Sequence, residues 1–468
     1  MNRTLSRRKF LGEAACAAVT ATPLISTLLN LSMTNAMAAT SIPSTSITDY
    51  KALVCILLAG GNDSFNMLVP RGNSEYNEYQ TVRSSLSLAQ NSLHALNGTF
   101  GGKSLGLHAG MPELASLFNS GDAAFLANVG TLVEPTTLAN YNNGTVRLPL
   151  GLFSHSDQIM HWQTSVPDSR SARGWGGRVA DILNSVNTNA RISMNISLAG
   201  TNTFQSGNET VSYEILPTGN GAVQPDFMSE EPSAYSAIAR TGVRSLIDAQ
   251  YQNLFQETFA RTNASAIDAS GEFATAISGQ TLTTTFSASQ LSQAMQMVAR
   301  TIAARDTLGM RRQTFFVLMG GYDHHDELIN NHAAMLPVVS RALAEFNAAM
   351  KELNVHNNVT TFTASDFART LTSNGRGSDH GWGGNQIVMG GAVNGGLVYG
   401  NYPDLGLGNS LDTGRGRLIP TLSTDEYFAE LAQWFGVSNS CLGDLFPNLN
   451  RFYNIGATAP IGFLNQNA

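Results

Sequence analysis

Charged residues are scarce in this chain of 468 residues. Asp, Glu, Lys and Arg make up only 13% of it, and 27 basic residues stand against 34 acidic ones, so the net charge is −7. This shortage of basic residues argues against nucleic acid as a partner, because phosphate binding draws on clustered Lys and Arg. Fibrous and coiled-coil classes are excluded as well, since the charged residues are too few and the 44 glycines follow no fixed period.

Long apolar runs are also missing, and this decides how the N-terminus is interpreted. The segment SRRKFL at residues 6–11 is typical of a twin-arginine signal, and AMA at residues 36–38 supplies a small-x-small cleavage site. A membrane anchor is the alternative, but Glu13 and Pro23 interrupt the stretch and leave it short of roughly 20 apolar residues. We therefore expect residues 1–38 to be a signal peptide that is removed.

The expected mature protein begins with a Ser/Thr-rich linker at residues 39–50. Only Cys55 and Cys441 remain in it, and Cys55 lies inside an apolar run, so no disulfide framework is predicted. Twin-arginine export carries proteins that are already folded, often because a metal or cofactor is loaded inside the cell. The predicted location is therefore periplasmic or extracellular, with no integral membrane segment after signal removal.

Short apolar runs separated by helical patterns predict an α/β fold. The runs are KALVCILLA at 51–59, AAFLANV at 123–129, TFFVLM at 314–319, NVTTFTA at 358–364 and a fifth that begins at Gln386. Residues 332–353 carry apolar side chains three or four apart, as an amphipathic helix does. Strands that alternate with helices predict a three-layer sandwich with a mostly parallel central sheet.

The middle of the chain has a different composition. Residues 195–230 are rich in Asn, Gly and Thr, whereas residues 233–310 carry Ala-rich amphipathic helical patterns. We therefore assign residues 51–194 and 311–468 to the α/β core. Residues 195–310 are expected to be a largely helical insertion that forms a cap.

Polar residues cluster directly after the predicted strands, where ligands bind in open α/β sheets. Gly60–Ser64, Gly321–Asp326 and Ser365–Thr370 follow the first, third and fourth strands, Gly377–Gly384 comes after the last of these segments, and Phe153–Gln158 lies between the second and third strands. Six of the nine histidines lie in or beside these segments: His155, His161, His324, His325, His332 and His380. Each segment alone also fits a turn, a helix cap or a solvated loop, but several of them at strand ends favour a site. Asp with His suits a divalent ion such as zinc or manganese, which supports hydrolysis of phosphoryl or sulfuryl esters.

The twin-arginine leader together with LAGGNDSFNMLVP, SHSDQ, GGYDHH, ASDFART and GSDHGWGGNQIVMGG resembles the family called domain of unknown function 1501. The resemblance covers essentially the whole mature chain apart from the middle insertion. That family is distantly similar to the alkaline phosphatase and sulfatase superfamily, whose α/β members use two metal ions and a Ser, Thr or formylglycine nucleophile. The resemblance implies an alkaline-phosphatase-like fold.

The same resemblance implies roles for particular residues. The expected metal ligands are Asp63, Asp323, His325, Asp366 and His380. Ser154 is the expected nucleophile, with Ser156 as the alternative, and Arg369 is expected to stabilise charge on an anionic substrate. Phe367 stands where phosphatases and sulfatases have a histidine ligand, and no sulfatase-maturation signature of the C/S-x-P-x-R type is present. Ordinary sulfatase activity is therefore disfavoured.

Two functions remain open from the sequence. One is an exported metal-dependent hydrolase acting on phosphate or sulfate esters or another anionic substrate, small or polymeric. The other is a non-catalytic binding or assembly protein with a degenerate hydrolase-type site, which would hold a surface polymer or a protein partner.

Overall fold

The computed structural model describes residues 47–223, 234–456 and 458–466, and the described residues from Asp49 onward belong to one compact unit. The predicted signal peptide and most of the predicted linker lie outside the described residues. The end of that linker packs on the folded unit: Tyr50 is buried, and its hydroxyl donates to Gln313 Oε1 at 2.7 Å.

Strands and helices alternate along the described chain. The strands are β1 Lys51–Leu58, β2 Leu68–Pro70, β3 His94–Ala95, β4 Leu105–Leu107, β5 Ala123–Gly130, β6 Asn195–Ser197, β7 Tyr213–Glu214, β8 Arg312–Met319, β9 Val359–Ser365, β10 Arg369–Ser373, β11 Ser378–His380, β12 Gly384–Met389, β13 Val398–Tyr399 and β14 Leu422–Ser423. The α-helices are α1 Ser64–Met67, α2 Asn73–Arg83, α3 Pro112–Asn119, α4 Leu138–Asn143, α5 His155–Thr164, α6 Trp175–Leu183, α7 Ala234–Ile247, α8 Leu254–Ser278, α9 Gln290–Ala303, α10 Leu328–Glu352, α11 Thr424–Phe435 and α12 Leu442–Leu445. Among these residues no helix is both long and apolar enough to cross a membrane.

Nine strands form the central sheet, in the order β13-β5-β12-β9-β1-β8-β6-β7, with β14 also paired to β5. Every pairing in this sheet is parallel except those of β12, which runs antiparallel to β5 and β9. All eight residues of β1 are buried, as expected for a central parallel strand covered on both faces. The predicted α/β fold with a mostly parallel sheet is confirmed.

Helices cover both faces of the sheet, which gives three layers. On one face Val54 of β1 belongs to a core cluster with Leu343 of α10 and with residues of α3 and α9. On the other face the ring of Trp175 of α6 stacks on Phe428 of α11 at 4.8 Å and contacts Phe362 of β9 at 5.8 Å. The two faces carry different cores because successive strand residues point to opposite sides.

The central sheet extends into the stretch that the sequence predicts as an insertion, residues 195–310. Ile196 of β6 pairs with Phe315 of β8, and β7 pairs with β6. The first residues of the expected insertion therefore belong to the sheet. β6 is only three residues long, so it produces no apolar run that a sequence pattern would reveal.

Candidate metal centre

The carboxyl ends of three adjacent parallel strands, β8, β1 and β9, meet at one edge of the sheet. Asp323 follows β8, and Asp366 comes directly after β9. Gly60, just beyond β1, lies between them: its φ is +116°, and its N–H donates to Asp366 Oδ1 at 3.0 Å. A Cβ at Gly60 would lie 2.4 Å from the backbone nitrogen of Asp323. Only glycine therefore lets the three strand-end loops approach this closely.

Three imidazoles converge on Asp323. Its Oδ1 lies 3.4 Å from His155 Nε2, 3.1 Å from His325 Nε2 and 3.6 Å from His380 Nε2. The donor atoms of His155, Asp323 and His380 all lie within 4.8 Å of one another. His325 adjoins this trio, with its Nε2 2.9 Å from that of His380. The Asp323 side chain is 48% exposed, so the centre opens to solvent.

The second ring nitrogen of each histidine meets an oxygen atom. The pairs are His155 Nδ1 with Asp366 Oδ2 at 2.6 Å, His325 Nδ1 with Asp379 Oδ1 at 3.1 Å, and His380 Nδ1 with the Phe153 carbonyl at 2.7 Å. Because ionised carboxylate and carbonyl oxygens only accept, each Nδ1 carries a proton and donates it. Each Nε2 faces Asp323 while the Nδ1 contact fixes the orientation of its ring, which is how proteins orient histidine ligands of a metal ion.

This donor set fits a divalent metal ion. His155 Nε2 is buried and has no hydrogen-bond partner among the described residues, although it faces Asp323. Ligands placed tetrahedrally around zinc at the usual bond lengths are about 3.3 Å apart. The separations of His155 Nε2 and His380 Nε2 from Asp323 Oδ1 lie close to that value. Imidazole with carboxylate suits zinc, and the carboxylate also suits manganese.

The charge states in the centre favour ligation. Burial is the largest cause that lowers the pKa of His380; its hydrogen bond to the Phe153 carbonyl acts to raise that pKa, the charge of Arg369 lowers it, and the net shift downward favours the neutral ring. Burial acts to raise the pKa of Asp323, but the hydrogen bond and charge of Arg369 outweigh it and hold the pKa below its ordinary value. Neutral imidazole and ionised carboxylate are the forms that bind metal.

Phe367 packs against the imidazoles instead of ligating. Its ring stacks on His380 with centroids 4.5 Å apart and contacts His155 at 4.8 Å. The side chain is buried, so it forms an apolar wall behind the two rings. The position at which the resemblance implies a missing ligand therefore helps to position the ligands that are present.

The structure does not bring Asp63 into this cluster. The side chain is fully buried, and its Oδ2 accepts a hydrogen bond from Arg83 of α2. Asp63 thus forms an internal ion pair with Arg83, while its buried Oδ1 has no hydrogen-bond partner among the described residues, and its role as a metal ligand stays a prediction.

Asp366, another predicted metal ligand, has both carboxylate oxygens engaged within the protein. It is buried, and its two oxygens accept from the Gly60 N–H and from His155 Nδ1. With both oxygens engaged, Asp366 orients a metal-binding histidine.

Arg369 likewise does not face a substrate. It is buried, and its guanidinium donates to the carbonyls of Gly60, Gly61, Tyr322 and Ser378 and, at 2.5 Å, to Asp323 Oδ1. All three guanidinium nitrogens are therefore engaged within the protein. Arg369 therefore connects the strand-end loops, and its role in stabilising substrate charge stays a prediction.

The SHSDQ segment contributes a ligand that the sequence analysis did not select. Ser154, the predicted nucleophile, precedes α5, and its Oγ lies 3.1 Å from that of Ser156. His155, between the two serines, enters the centre. The sequence places His155 among the histidines of the polar segments, but the resemblance implies a role for the serines of this segment and none for His155.

Fold and site together define an α/β protein with a candidate metal centre at the carboxyl ends of parallel strands. Residues 50–414 match the family described as "Protein of unknown function (DUF1501)". The chain therefore belongs to this family, as its motifs predict. No curated protein matches the chain.

Several solved structures are similar to this chain at low identity. Ps i-CgsB in complex with k-i-k-neocarrahexaose is 10% identical with a TM-score of 0.31, covering 88% of this chain and 76% of that one. The PsFucS1 sulfatase from Pseudoalteromonas sp. is 10% identical with a TM-score of 0.31, covering 78% and 68%. A mutant of the alkaline phosphatase PafA is 9% identical with a TM-score of 0.27, covering 69% and 64%. At these values the likeness does not identify an activity.

Proposed function

We propose that this protein is an exported metal-dependent hydrolase that acts on a phosphate or sulfate ester. The observation that carries the proposal is the convergence of three imidazole Nε2 atoms on Asp323 Oδ1. Each ring is held in that orientation by an oxygen acceptor at its Nδ1. Such an arrangement is costly to build without a ligand, because it leaves a buried nitrogen of His155 unpaired.

His155, Asp323 and His380 would hold the ion, with His325 beside them. When bound, a zinc or manganese ion supplies Lewis-acid polarisation of a phosphoryl or sulfuryl oxygen. Three protein ligands leave a position free for substrate, as catalytic zinc sites do. Asp366 keeps the proton on His155 Nδ1, and Asp379 does the same for His325.

Ser154 is the proposed nucleophile. It is half-buried, lies between Phe153 and His155, and makes no side-chain cap to the helix that it precedes. Its hydroxyl caps no backbone N–H of the helix, and it hydrogen-bonds the carboxylate of Asp157 in the first turn. Ser156 is the alternative, since its Oγ lies 3.1 Å away.

A second candidate function is non-catalytic binding of an anionic polymer or a protein partner by the same centre. Two observations favour it: Phe367 occupies a position where a ligand is expected, and Arg369 is fully engaged inside the protein. In this case the centre would hold a ligand without turning it over.

The two functions are separated by assaying zinc- and manganese-loaded protein on p-nitrophenyl phosphate and p-nitrophenyl sulfate. We expect hydrolysis of at least one ester, and a loss of about 100-fold or more in Asp323→Asn, since a metal ligand is removed. The matched control is Asp326→Asn, the same substitution in the same loop at an exposed residue whose carboxylate pairs with Arg376. Metal-loaded protein that hydrolyses neither ester would favour the binding function.

Export is tested separately by cell fractionation. Replacing Arg7 and Arg8 by lysine is expected to leave the protein in the cytoplasm, because the twin-arginine signal is lost. Unchanged export of this variant would contradict the proposed route.

A further inference from the structure

Residues 412–417 form a tight turn beside the metal centre, braced by one carboxylate. Asp412 Oδ1 accepts from the N–H groups of Gly414 at 2.8 Å and Gly416 at 2.7 Å. The Arg417 N–H in turn donates to the Gly414 carbonyl at 3.2 Å. The backbone at Arg415 and Arg417 is therefore held by several hydrogen bonds, so these side chains start from fixed positions.

The two arginines of this turn contact Asp379, which pairs with His325, and the backbone of His380. Arg415 Nη1 lies 2.6 Å from Asp379 Oδ2, and the other oxygen of Asp379 pairs with His325. Arg417 Nε donates to the His380 carbonyl at 3.0 Å. The charge of Arg415 is thus balanced by a carboxylate.

Arg417 keeps an unbalanced charge. Its guanidinium carbon lies 5.1 Å from the centroid of the Phe153 ring, a cation–π contact that fixes the plane of the group. The carbonyl of Phe153 is itself the acceptor for His380 Nδ1. Among the described residues, no carboxylate pairs with Arg417, and its two terminal amino groups have no hydrogen-bond partner. The side chain is half-buried, so these amino groups can reach a ligand.

Two other exposed arginines in nearby loops, Arg170 and Arg376, are already paired. Arg170 bonds Asp157 Oδ1 at 2.8 Å, and Arg376 pairs with Asp326 and Glu327. Arg417 therefore differs from them in having a fixed guanidinium with two free amino groups. Such a fork matches a tetrahedral oxyanion, to which it can donate two parallel hydrogen bonds.

We propose that Arg417 forms an anion subsite beside the metal centre and binds the tetrahedral oxyanion group of the substrate, a phosphate or a sulfate. The inference rests on the proposed function for the nature of the ligand. Because the stem and Nε of Arg417 are already immobilised, little side-chain entropy is lost on binding. Arg417 is in this reading a specificity-determining residue for anionic groups.

The test measures binding of inorganic phosphate by calorimetry, together with metal content, in wild type and three variants. Arg417→Met keeps a flexible stem on Phe153 and removes the charge, whereas Arg417→Lys keeps the charge and removes the fork. Arg261→Met is the control, because Arg261 is 80% exposed on α8 and its partner is Glu257. We expect the phosphate Kd to rise about tenfold or more in Arg417→Met and about threefold in Arg417→Lys, with no change in Arg261→Met.

The outcomes separate this inference from the proposed function. Full metal content with an unchanged phosphate Kd in Arg417→Met would overturn the inference and leave the metal-dependent function in place. Wild-type protein without metal would overturn the proposed function, and phosphate binding to that protein, with and without Arg417, would still decide the inference. Wild-type protein that binds no phosphate would overturn it outright.

Two further arms complete the test. If Arg417→Met does not fold, Arg417→Lys decides, and an unchanged phosphate Kd in that variant would contradict the forked contact. Titration with sulfate identifies the anion: equal weakening for both anions shows a general oxyanion site, and weakening for one shows which ester the subsite selects.

Discussion

Asp366→Asn tests how the centre is oriented, because both oxygens of this buried carboxylate act as acceptors. Oδ1 accepts from the Gly60 N–H at 3.0 Å, and Oδ2 accepts from His155 Nδ1 at 2.6 Å. A carboxamide has only one acceptor oxygen. If that oxygen faces Gly60, the amide NH₂ points at His155 Nδ1 and moves the ring proton to Nε2, where it blocks ligation. If the amide is turned the other way, the NH₂ faces the Gly60 N–H, donor against donor.

Zinc binding requires the ring proton of His155 on Nδ1, so in the metal-bound protein either orientation leaves one buried donor without an acceptor, which costs about 1–3 kcal/mol. At about 1.4 kcal/mol for each tenfold change in affinity, we expect zinc to bind roughly 10- to 100-fold more weakly to Asp366→Asn. Outer-shell carboxylates behind metal-binding histidines generally show effects of that size.

The assay is a competitive titration of zinc against a chromophoric chelator, with near-ultraviolet circular dichroism to confirm the fold. Asp326→Asn is the control, since its carboxylate is 56% exposed and pairs with Arg376 outside the centre. A zinc Kd for Asp366→Asn within about twofold of the wild type would refute the argument that Asp366 orients His155.

Three further predictions concern the residues around the centre and a buried acid elsewhere. Asp63→Asn leaves Arg83 buried without a counter-charge, so the free energy of unfolding in urea should fall by about 3–5 kcal/mol. The metal content of the folded fraction should not change. Loss of metal at unchanged stability would instead show that Asp63 is a ligand. Ser154→Ala should abolish ester hydrolysis and leave metal content as in wild type, whereas retained hydrolysis would point to Ser156. Burial raises the pKa of Asp425 to about 8, whereas its ordinary value is 3.8. Between these pH values the native state holds a proton that the unfolded chain has released. The free energy of unfolding should therefore fall as pH rises, by about 1.4 kcal/mol per pH unit. Asp425→Asn should remove that slope from thermal unfolding measured at pH 5 and pH 8, and an identical slope in both proteins would contradict the assignment.

The sheet and the edge that carries the site could be predicted because each strand is recognised from its own short stretch of sequence. A parallel strand that is covered on both faces has a nearly continuous apolar sequence, as most of Lys51–Leu58 and Arg312–Met319 does. The polar residues that follow such strands must then lie at one edge of the sheet. Asp323 and His325 lie at this edge for that reason, whereas His380 reaches it from the β10-β11 sheet.

The finer assignments could not be predicted, because they depend on contacts between distant parts of the chain. His155 and Asp366 are 211 residues apart in sequence, and no local pattern links them. In the same way, Asp63 forms an ion pair with Arg83 of α2, and this contact depends on how α2 packs.

The central claim, that His155, Asp323 and His380 bind a divalent metal ion, is tested most directly by metal content. Mature wild-type protein is purified without added metal or chelator and analysed by mass spectrometry beside Asp323→Asn and Asp326→Asn. We expect about one equivalent of zinc or manganese per chain, lost in Asp323→Asn and kept in Asp326→Asn. A folded wild-type protein without metal, or metal retained in full by Asp323→Asn, would contradict the claim.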